Sequence, residues 1–129
     1  MTEPSGVVRI ASRFGYAETI DRLRAEIERR QLTLFVTIDQ QQAAQGAGLD
    51  LRPTTLILFG NPAAGTRVMQ ASPESAIDLP LKILVWEDET TQVWVALNDG
   101  VYLQRRHGLA DDLLPVLGAA RSIAQAALA

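Results

Sequence analysis

Apolar and polar residues follow one another in patterns that predict alternating strands and helices. Residues 7–12 alternate and predict a first strand. In residues 16–30 the apolar positions recur every three or four residues and the opposite side is charged, which predicts an amphipathic helix. Residues 32–38 predict a second strand. A short glutamine-rich helix follows it and should stop at Gly46 and Gly48.

The second half of the chain predicts the rest of one sheet. Residues 54–59 are apolar on both faces and predict an interior strand. Asn61-Pro62 and Ser72-Pro73 are cap-then-proline signals for short helices over 63–70 and 74–77. Residues 81–87 and 92–98 alternate around a polar loop and predict an antiparallel hairpin. We therefore expect an α+β fold with a single, mainly antiparallel sheet and helices on one side.

The segment after the hairpin is harder to assign. Asp99-Gly100 predicts a turn, and residues 101–103 predict a short extended segment. An apolar stripe from Leu109 to Ala127 predicts a final helix. Pro115 should kink that helix or mark a second start.

Composition narrows the class of protein. A chain of 129 residues, 47% of them apolar, is predicted to form a single domain over residues 1–129. The chain has no cysteine, which excludes disulfides, thiolate-bound metals and cysteine catalysis. A net charge of −3 argues against nucleic acid and anionic membranes as partners. Residues 1–6 lack the pattern of a secretory leader and no run of about 18 apolar residues occurs, so we expect a cytoplasmic location.

Three stretches carry a resemblance to a known family. They are LRPTTLILFGNPAAGT at 51–66, Met69-Gln70, and DLPLKILVWED at 78–88. Together they resemble the bacterial domain-of-unknown-function (DUF) family 302, over most of the chain and through 102–103 and 106–109. The resemblance implies a TATA-box-binding-protein-like β-α-β(4)-α fold and no established activity. Family members often carry a histidine directly after the aspartate that closes the second strand, whereas Gln40 follows Asp39 here, so any chemistry of that histidine would be altered.

The chain has one histidine, His107, which follows Arg105 and Arg106. It could serve as a general base with Asp39 or Asp78, or it could be a structural residue packed against the last helix. A single histidine with scattered carboxylates does not make a zinc site, so we predict no metal and no cofactor.

The turn at 60–66 has the glycine spacing of a phosphate-binding loop but lacks its lysine. A structural turn is the better interpretation, although a helix beginning after Asn61 could hold an anionic group. Arg52, Lys82 and Arg106 are the candidate supporting cations. Lys82 interrupts an apolar strand, where it should protect a sheet edge or meet Asp78. Trp86 and Trp94 are expected in the core or at a subunit interface.

Three functional hypotheses remain open. The first is a non-enzymatic module that binds a small anionic molecule or a partner in a groove between the sheet and the Asn61 helix, with His107 among the binding residues. The second is a small acid/base enzyme that uses His107 with Asp39 or Asp78. The third is a structural homo-oligomer, such as a homodimer, assembled through the hairpin or the edge strands.

Overall fold

The computed structural model describes residues 5–129 and contains one five-stranded sheet. The strands are β1 (Val7–Ser12), β2 (Thr33–Asp39), β3 (Thr54–Gly60), β4 (Leu81–Glu87) and β5 (Val93–Asn98). Their order is β1-β5-β4-β3-β2, and each neighbouring pair is antiparallel. The predicted α+β class, the antiparallel sheet and the β4–β5 hairpin are confirmed. The prediction that the chain starts without a secretory leader concerns mainly residues 1–4, which lie outside the described residues.

The helices are α1 (Tyr16–Arg29), α2 (Gln40–Gly46), α3 (Pro62–Ala71), α4 (Gly100–His107), α5 (Leu114–Leu117) and α6 (Ala119–Ala127). Two short 3₁₀ helices cover Pro73–Asp78 and Asp111–Leu113. The helices predicted at 16–30, after Asp39, and at 63–70 and 74–77 are confirmed. Within residues 5–129, no helix combines the length and the apolar character needed to cross a membrane.

The core lies between the sheet and the helices α1 and α6. Strand side chains point alternately to the two faces, and on β3 the residues Ile57 and Phe59 point into the core and are fully buried. Leu23 of α1 and Ile123 of α6 are fully buried with them in one hydrophobic cluster. The apolar faces of the strands and of these two helices therefore pack together in one core layer.

The opposite side of the sheet, which we call the open face, is only half-buried. Leu56 of β3 and Leu84 of β4 point to it. Trp86 and Trp94 are register partners there and are half-buried. Packing in the core is therefore wrong for these tryptophans, and a subunit interface, the other place expected for them, remains a prediction. Alternation alone could not say which of two apolar faces the helices cover.

Lys82 does not protect a sheet edge, because β4 is the central strand of the five. That interpretation is wrong, since strand order cannot be read from the pattern of one strand. The Nζ of Lys82 instead donates a hydrogen bond of 2.9 Å to the carbonyl oxygen of Pro80. The side chain therefore runs along the start of its own strand.

The extended segment predicted at 101–103 is also wrong, because these residues lie in α4. The carboxylate of Asp99 accepts a hydrogen bond from the backbone N–H of Tyr102 at 3.2 Å and caps the helix. Gly108 ends the helix at φ 61°, a conformation that glycine adopts at little cost. Burial of Leu103 outweighs the strand propensity of Val101 and Tyr102.

The final helix is interrupted twice. Pro115 lies in the first turn of α5, so the second start predicted there is confirmed. A further break at Gly118 separates α5 from α6. The apolar stripe continues across the break, with Leu117, Ala120 and Ile123 all buried.

Asp88 organises the β4–β5 turn, and its replacement by asparagine should show a pH-dependent loss of stability. Its carboxylate accepts hydrogen bonds from Thr90 (N–H and hydroxyl), Gln92 (N–H) and Trp94 (indole N–H). The hydroxyl of Thr90 and the indole of Trp94 lower the pKa of Asp88 to about 2. A lowered folded-state pKa stabilises the fold above the unfolded value of about 3.9, and this stabilisation is lost as the pH falls through about 2.

We therefore expect Asp88→Asn to melt below the wild type at pH 7, and the difference to shrink between about pH 4 and pH 2. Melting curves across that range measure it. Glu89→Gln, in the same exposed loop, is the control and should match the wild type. A difference that stays constant down to pH 2 would contradict the role given to the carboxylate.

Candidate functional site

The antiparallel register gathers most of the predicted site residues at one end of the sheet. Phe59 pairs with Leu81, and Ile83 pairs with Leu97, so the end of β3, the start of β4 and the end of β5 lie together. Asn61, Asp78, Lys82, Arg106 and His107 belong to this end. Asp39 and Arg52 belong to the opposite end, where β2 finishes and β3 begins.

Asp39 and Arg52 are engaged in local contacts at that opposite end. Asp39 caps α2 by accepting a hydrogen bond from the N–H of Gln42 at 2.9 Å. The Nε of Arg52 donates to the carbonyl oxygen of Glu87 at 3.0 Å, and its guanidinium lies 3.8 Å from the Glu87 carboxylate. The structure therefore brings neither residue together with His107 or Asn61.

Tyr16 has a role in the structure that the sequence did not predict. Its hydroxyl lies 2.5 Å from the hydroxyl of Thr55, which faces the core beside it. Burial raises the pKa of Tyr16, and the charges of Asp39 and Glu87 add to the rise. This tyrosine therefore holds α1 to β3 as a neutral side chain, and no sequence motif marks it.

The structure pairs His107 with Asp78. The Nε2 of His107 lies 2.5 Å from Oδ2 of Asp78, and a guanidinium nitrogen of Arg106 lies 3.3 Å from both carboxylate oxygens. The side chains of His107 and Asp78 are 9% and 15% exposed, whereas that of Arg106 is 48% exposed. This cluster, which we call the Asp78 cluster, ties the 3₁₀ helix to the last turn of α4.

Local structure explains why these groups meet. Asp78 ends the 3₁₀ helix Pro73–Asp78, and Arg106 and His107 lie in the last turn of α4, where the helix dipole favours cations. On its outer side the cluster borders an open groove that includes Pro73, Glu74 and Ile77. The imidazole of His107 and the carboxylate of Asp78 are thus hydrogen-bonded to each other, and the imidazole also lines the groove.

Lys82 lies within the electrostatic reach of the same carboxylate. Burial lowers the pKa of Lys82, and the negative charge of Asp78 opposes part of that change. The sequence offered Asp78 as a possible partner of Lys82, and the structure places the two charges near each other. A central strand thus carries a partly desolvated amine.

An apolar cleft opens beside Asn61 with a volume of about 350 Å³. Among its lining residues only Asn61 has a polar side chain. The lining consists of Phe35, Gly60, Asn61, Pro62, Gly65, Met69, Ala76, Leu79, Pro80, Leu81 and Val116. The cleft is therefore built from segments that lie far apart in the sequence.

Asn61 already accepts hydrogen bonds from the first N–H groups of α3. Its Oδ1 accepts from the N–H groups of Ala63 and Ala64 at 3.0 and 3.2 Å, and its carbonyl oxygen accepts from Gly65 at 2.8 Å. Among the hydrogen bonds of the described residues, none uses Nδ2 of Asn61. An anion at this helix would meet that amide group and the helix dipole rather than a cradle of free N–H groups.

The described part of the chain contains no group of three or more histidine, aspartate or glutamate side chains placed to hold a metal ion. The Asp78 cluster has two such side chains, and its third member is the cation Arg106. Its geometry is that of an ion-pair network.

Comparison with known proteins identifies relatives of two kinds. Two proteins named "Fluoride-specific ion channel FluC 1", from Brucella suis biovar 1 and Brucella abortus biovar 1, are 42% identical over 111 residues. These matches cover 84% of this chain but 44% and 41% of theirs, so the chain spans less than half of these relatives.

The fold also matches a solved structure. The crystal structure of the uncharacterized conserved protein DUF302 from Bacillus stearothermophilus superimposes with a TM-score of 0.79 at 18% identity, over 95% of both chains. The family model described as "Domain of unknown function DUF302" matches residues 8–127. The chain is therefore a member of the DUF302 family, a family of unknown function.

Proposed function

We propose that this domain is a non-enzymatic module that binds a small carboxylate with an apolar body in the cleft beside Asn61. The observation that carries the proposal is the cleft itself, whose volume of about 350 Å³ lies within the range of small-molecule sites. Its walls are apolar, and its single polar side chain can fix the orientation of a ligand. Sites of this composition bind by burying apolar surface and gain specificity from few polar groups.

The apolar body would lie against Phe35, Met69 and Leu79. Phe35 is 50% exposed although it is aromatic, so a ligand that covers it removes apolar surface from water, at roughly 25 cal/mol per Å². The carboxylate would accept a hydrogen bond from Nδ2 of Asn61. The positive end of the α3 dipole favours the negative charge at this position.

The other two hypotheses remain predictions. The acid/base enzyme has its pair in Asp78 and His107, and the homodimer has the edge strands and the hairpin to use. The cytoplasmic location remains a prediction as well. The channel name belongs to the Brucella proteins, of whose length this chain spans less than half.

Asn61→Asp tests the polar end of the cleft. Aspartate caps a helix as well as asparagine does, but it replaces the amide donor with a negative charge. Hexanoate and benzoate should stabilise the wild type by about 2.7 kcal/mol at 100 times their dissociation constants. We expect the variant to lose their binding while it keeps the neutral analogues hexanamide and benzamide, as measured by thermal shift and calorimetry. If none of the four compounds stabilises the wild type, or if Asn61→Asp binds the acids unchanged, the proposal is wrong.

Gly65→Leu tests the apolar part of the cleft in the same experiment. Gly65 lies inside α3, and a Cβ there would meet no atom within 4 Å. A leucine side chain should fill part of the cleft and stabilise the helix, so both acids and amides lose affinity without loss of melting temperature. Gly46→Leu is matched to it, because Gly46 also lies in a helix with no atom within 4 Å of an added Cβ. This variant lies outside the cleft and should bind like the wild type.

A further inference from the structure

The open face of the sheet contains a second concavity, separate from the cleft. It has a volume of about 160 Å³ and includes Leu56, Leu84, Ala96, Lys82 and Asn98. Lys82 and Asn98 are the only residues of its lining with polar side chains. Leu81 and Lys82 are neighbours on β4 that point to opposite faces, so the cleft and this depression lie on opposite sides of the sheet.

Lys82 is held in a defined position within the depression. Its Nζ donates to the carbonyl oxygen of Pro80 at 2.9 Å, which fixes the direction of the amine. The charge of Asp78 acts on it, and Asp78 is hydrogen-bonded to His107 in turn. The amine therefore lies in an apolar hollow under the influence of a carboxylate that is itself hydrogen-bonded to an imidazole, which combines a nucleophile with a group that transfers protons.

We propose that Lys82 forms a Schiff base with a small aldehyde or ketone seated in this depression. The lone pair of the neutral Nζ attacks the carbonyl carbon and gives a carbinolamine. The carbinolamine oxygen then leaves as water, carrying both protons of the amine, and a C=N bond forms. No electrons are exchanged with a third reagent, and addition of water reverses the step.

The surroundings of Lys82 support each part of this reaction. Burial lowers the pKa of Lys82, which increases the share of neutral amine near neutral pH. Asp78, whose charge acts on Lys82, can accept and return the protons that move during loss of water, and its hydrogen bond to His107 gives those protons a further acceptor. The amide of Asn98 is the neutral hydrogen-bonding group of the depression and can contact the carbinolamine hydroxyl.

Reductive trapping with propanal and cyanoborohydride tests the proposal. Lys82 is the only lysine of the chain, so the α-amino group of the N-terminus is the one other amine and serves as an internal reference. Peptide mass spectrometry gives the rate at each amine. We expect Lys82, relative to the N-terminus, to react several-fold faster in the folded protein than in the same chain unfolded in urea. An equal or slower rate in the folded protein would overturn the proposal.

Two further comparisons separate a shaped site from an amine that is merely reactive. Pivaldehyde is bulkier than propanal and should lose the advantage in the folded protein. Ala96→Val narrows the depression and should slow trapping by propanal. Ala11→Val is the matched control, because Ala11 points to the same face of the sheet but lies outside the depression. The same folded-over-unfolded advantage for both aldehydes, together with equal trapping rates for the two variants, would show that the depression has no role.

Discussion

Replacement of Phe59 by alanine is expected to lower the free energy of unfolding by about 3–5 kcal/mol. Phe59 is 0% exposed on β3 and belongs to the cluster formed with α1 and α6. Removing its ring deletes apolar contacts and leaves a cavity that strands on both sides prevent from closing. Urea denaturation followed by circular dichroism measures the loss, and the slope of free energy against urea should stay unchanged.

Phe35→Ala is the matched control, because it makes the same substitution on the adjacent strand. Phe35 is 50% exposed, so its removal should change the free energy of unfolding by no more than about 0.5 kcal/mol. The same variant should weaken binding of acids and amides alike, since Phe35 lines the cleft. If the two phenylalanine variants lost equal stability, the assignment of the core to the face that carries Phe59 would be wrong.

The contrast between these two phenylalanines shows what could be predicted from the sequence. Alternation over β4 and β5 predicted two strands and their hairpin because burial on one face leaves a period of two. The run of residues 54–59, apolar on both faces, predicted β3 as an interior strand. The side chain of Phe35 does not follow this alternation, because the β2–β3 register shifts between Leu34 and Val36. A bulge of this kind changes which face a side chain takes, and residues 32–38 contain no signal for it.

The sequence predicted which residues belong to the candidate site better than it predicted how those residues are arranged. Asp78, Lys82 and His107 were named from their chemical types and from family motifs. The choice of Asp78 over Asp39 as the partner of His107 depends on which end of the sheet each residue occupies, and antiparallel register decides that. The position of Lys82 on the central strand depends on strand order, which requires contacts between distant segments.

The sequence suggested a groove between the sheet and the Asn61 helix, but it gave no signal for most of the residues that line the cleft. Phe35, Met69, Leu79 and Val116 come from four separate segments, and each is apolar, as core residues also are. The cap at Asn61 was predicted correctly as a helix signal. Only the structure shows that Oδ1 of Asn61 accepts hydrogen bonds from the first N–H groups of α3 and leaves Nδ2 as the polar group beside the apolar cleft.

Gly100→Ala is the second substitution with a large expected effect, a loss of about 1–3 kcal/mol in the free energy of unfolding. A Cβ at Gly100 would lie 2.9 Å from the backbone nitrogen of Gly118, 3.0 Å from its Cα and 3.0 Å from the carbonyl carbon of Leu117. These are backbone atoms, so no side-chain rotation relieves the contact. The start of α4 would have to move away from the junction of α5 and α6, and the buried Leu103 and Leu117 would move with it.

Gly65→Ala makes the same substitution where a Cβ meets no atom within 4 Å, inside α3. It should stabilise the protein by about 0.5–1 kcal/mol, because alanine favours helix over glycine. Urea titrations of both variants should therefore shift the midpoint in opposite directions. A midpoint for Gly100→Ala at or above that of the wild type would show that α4 does not pack against the α5–α6 junction as closely as these distances require.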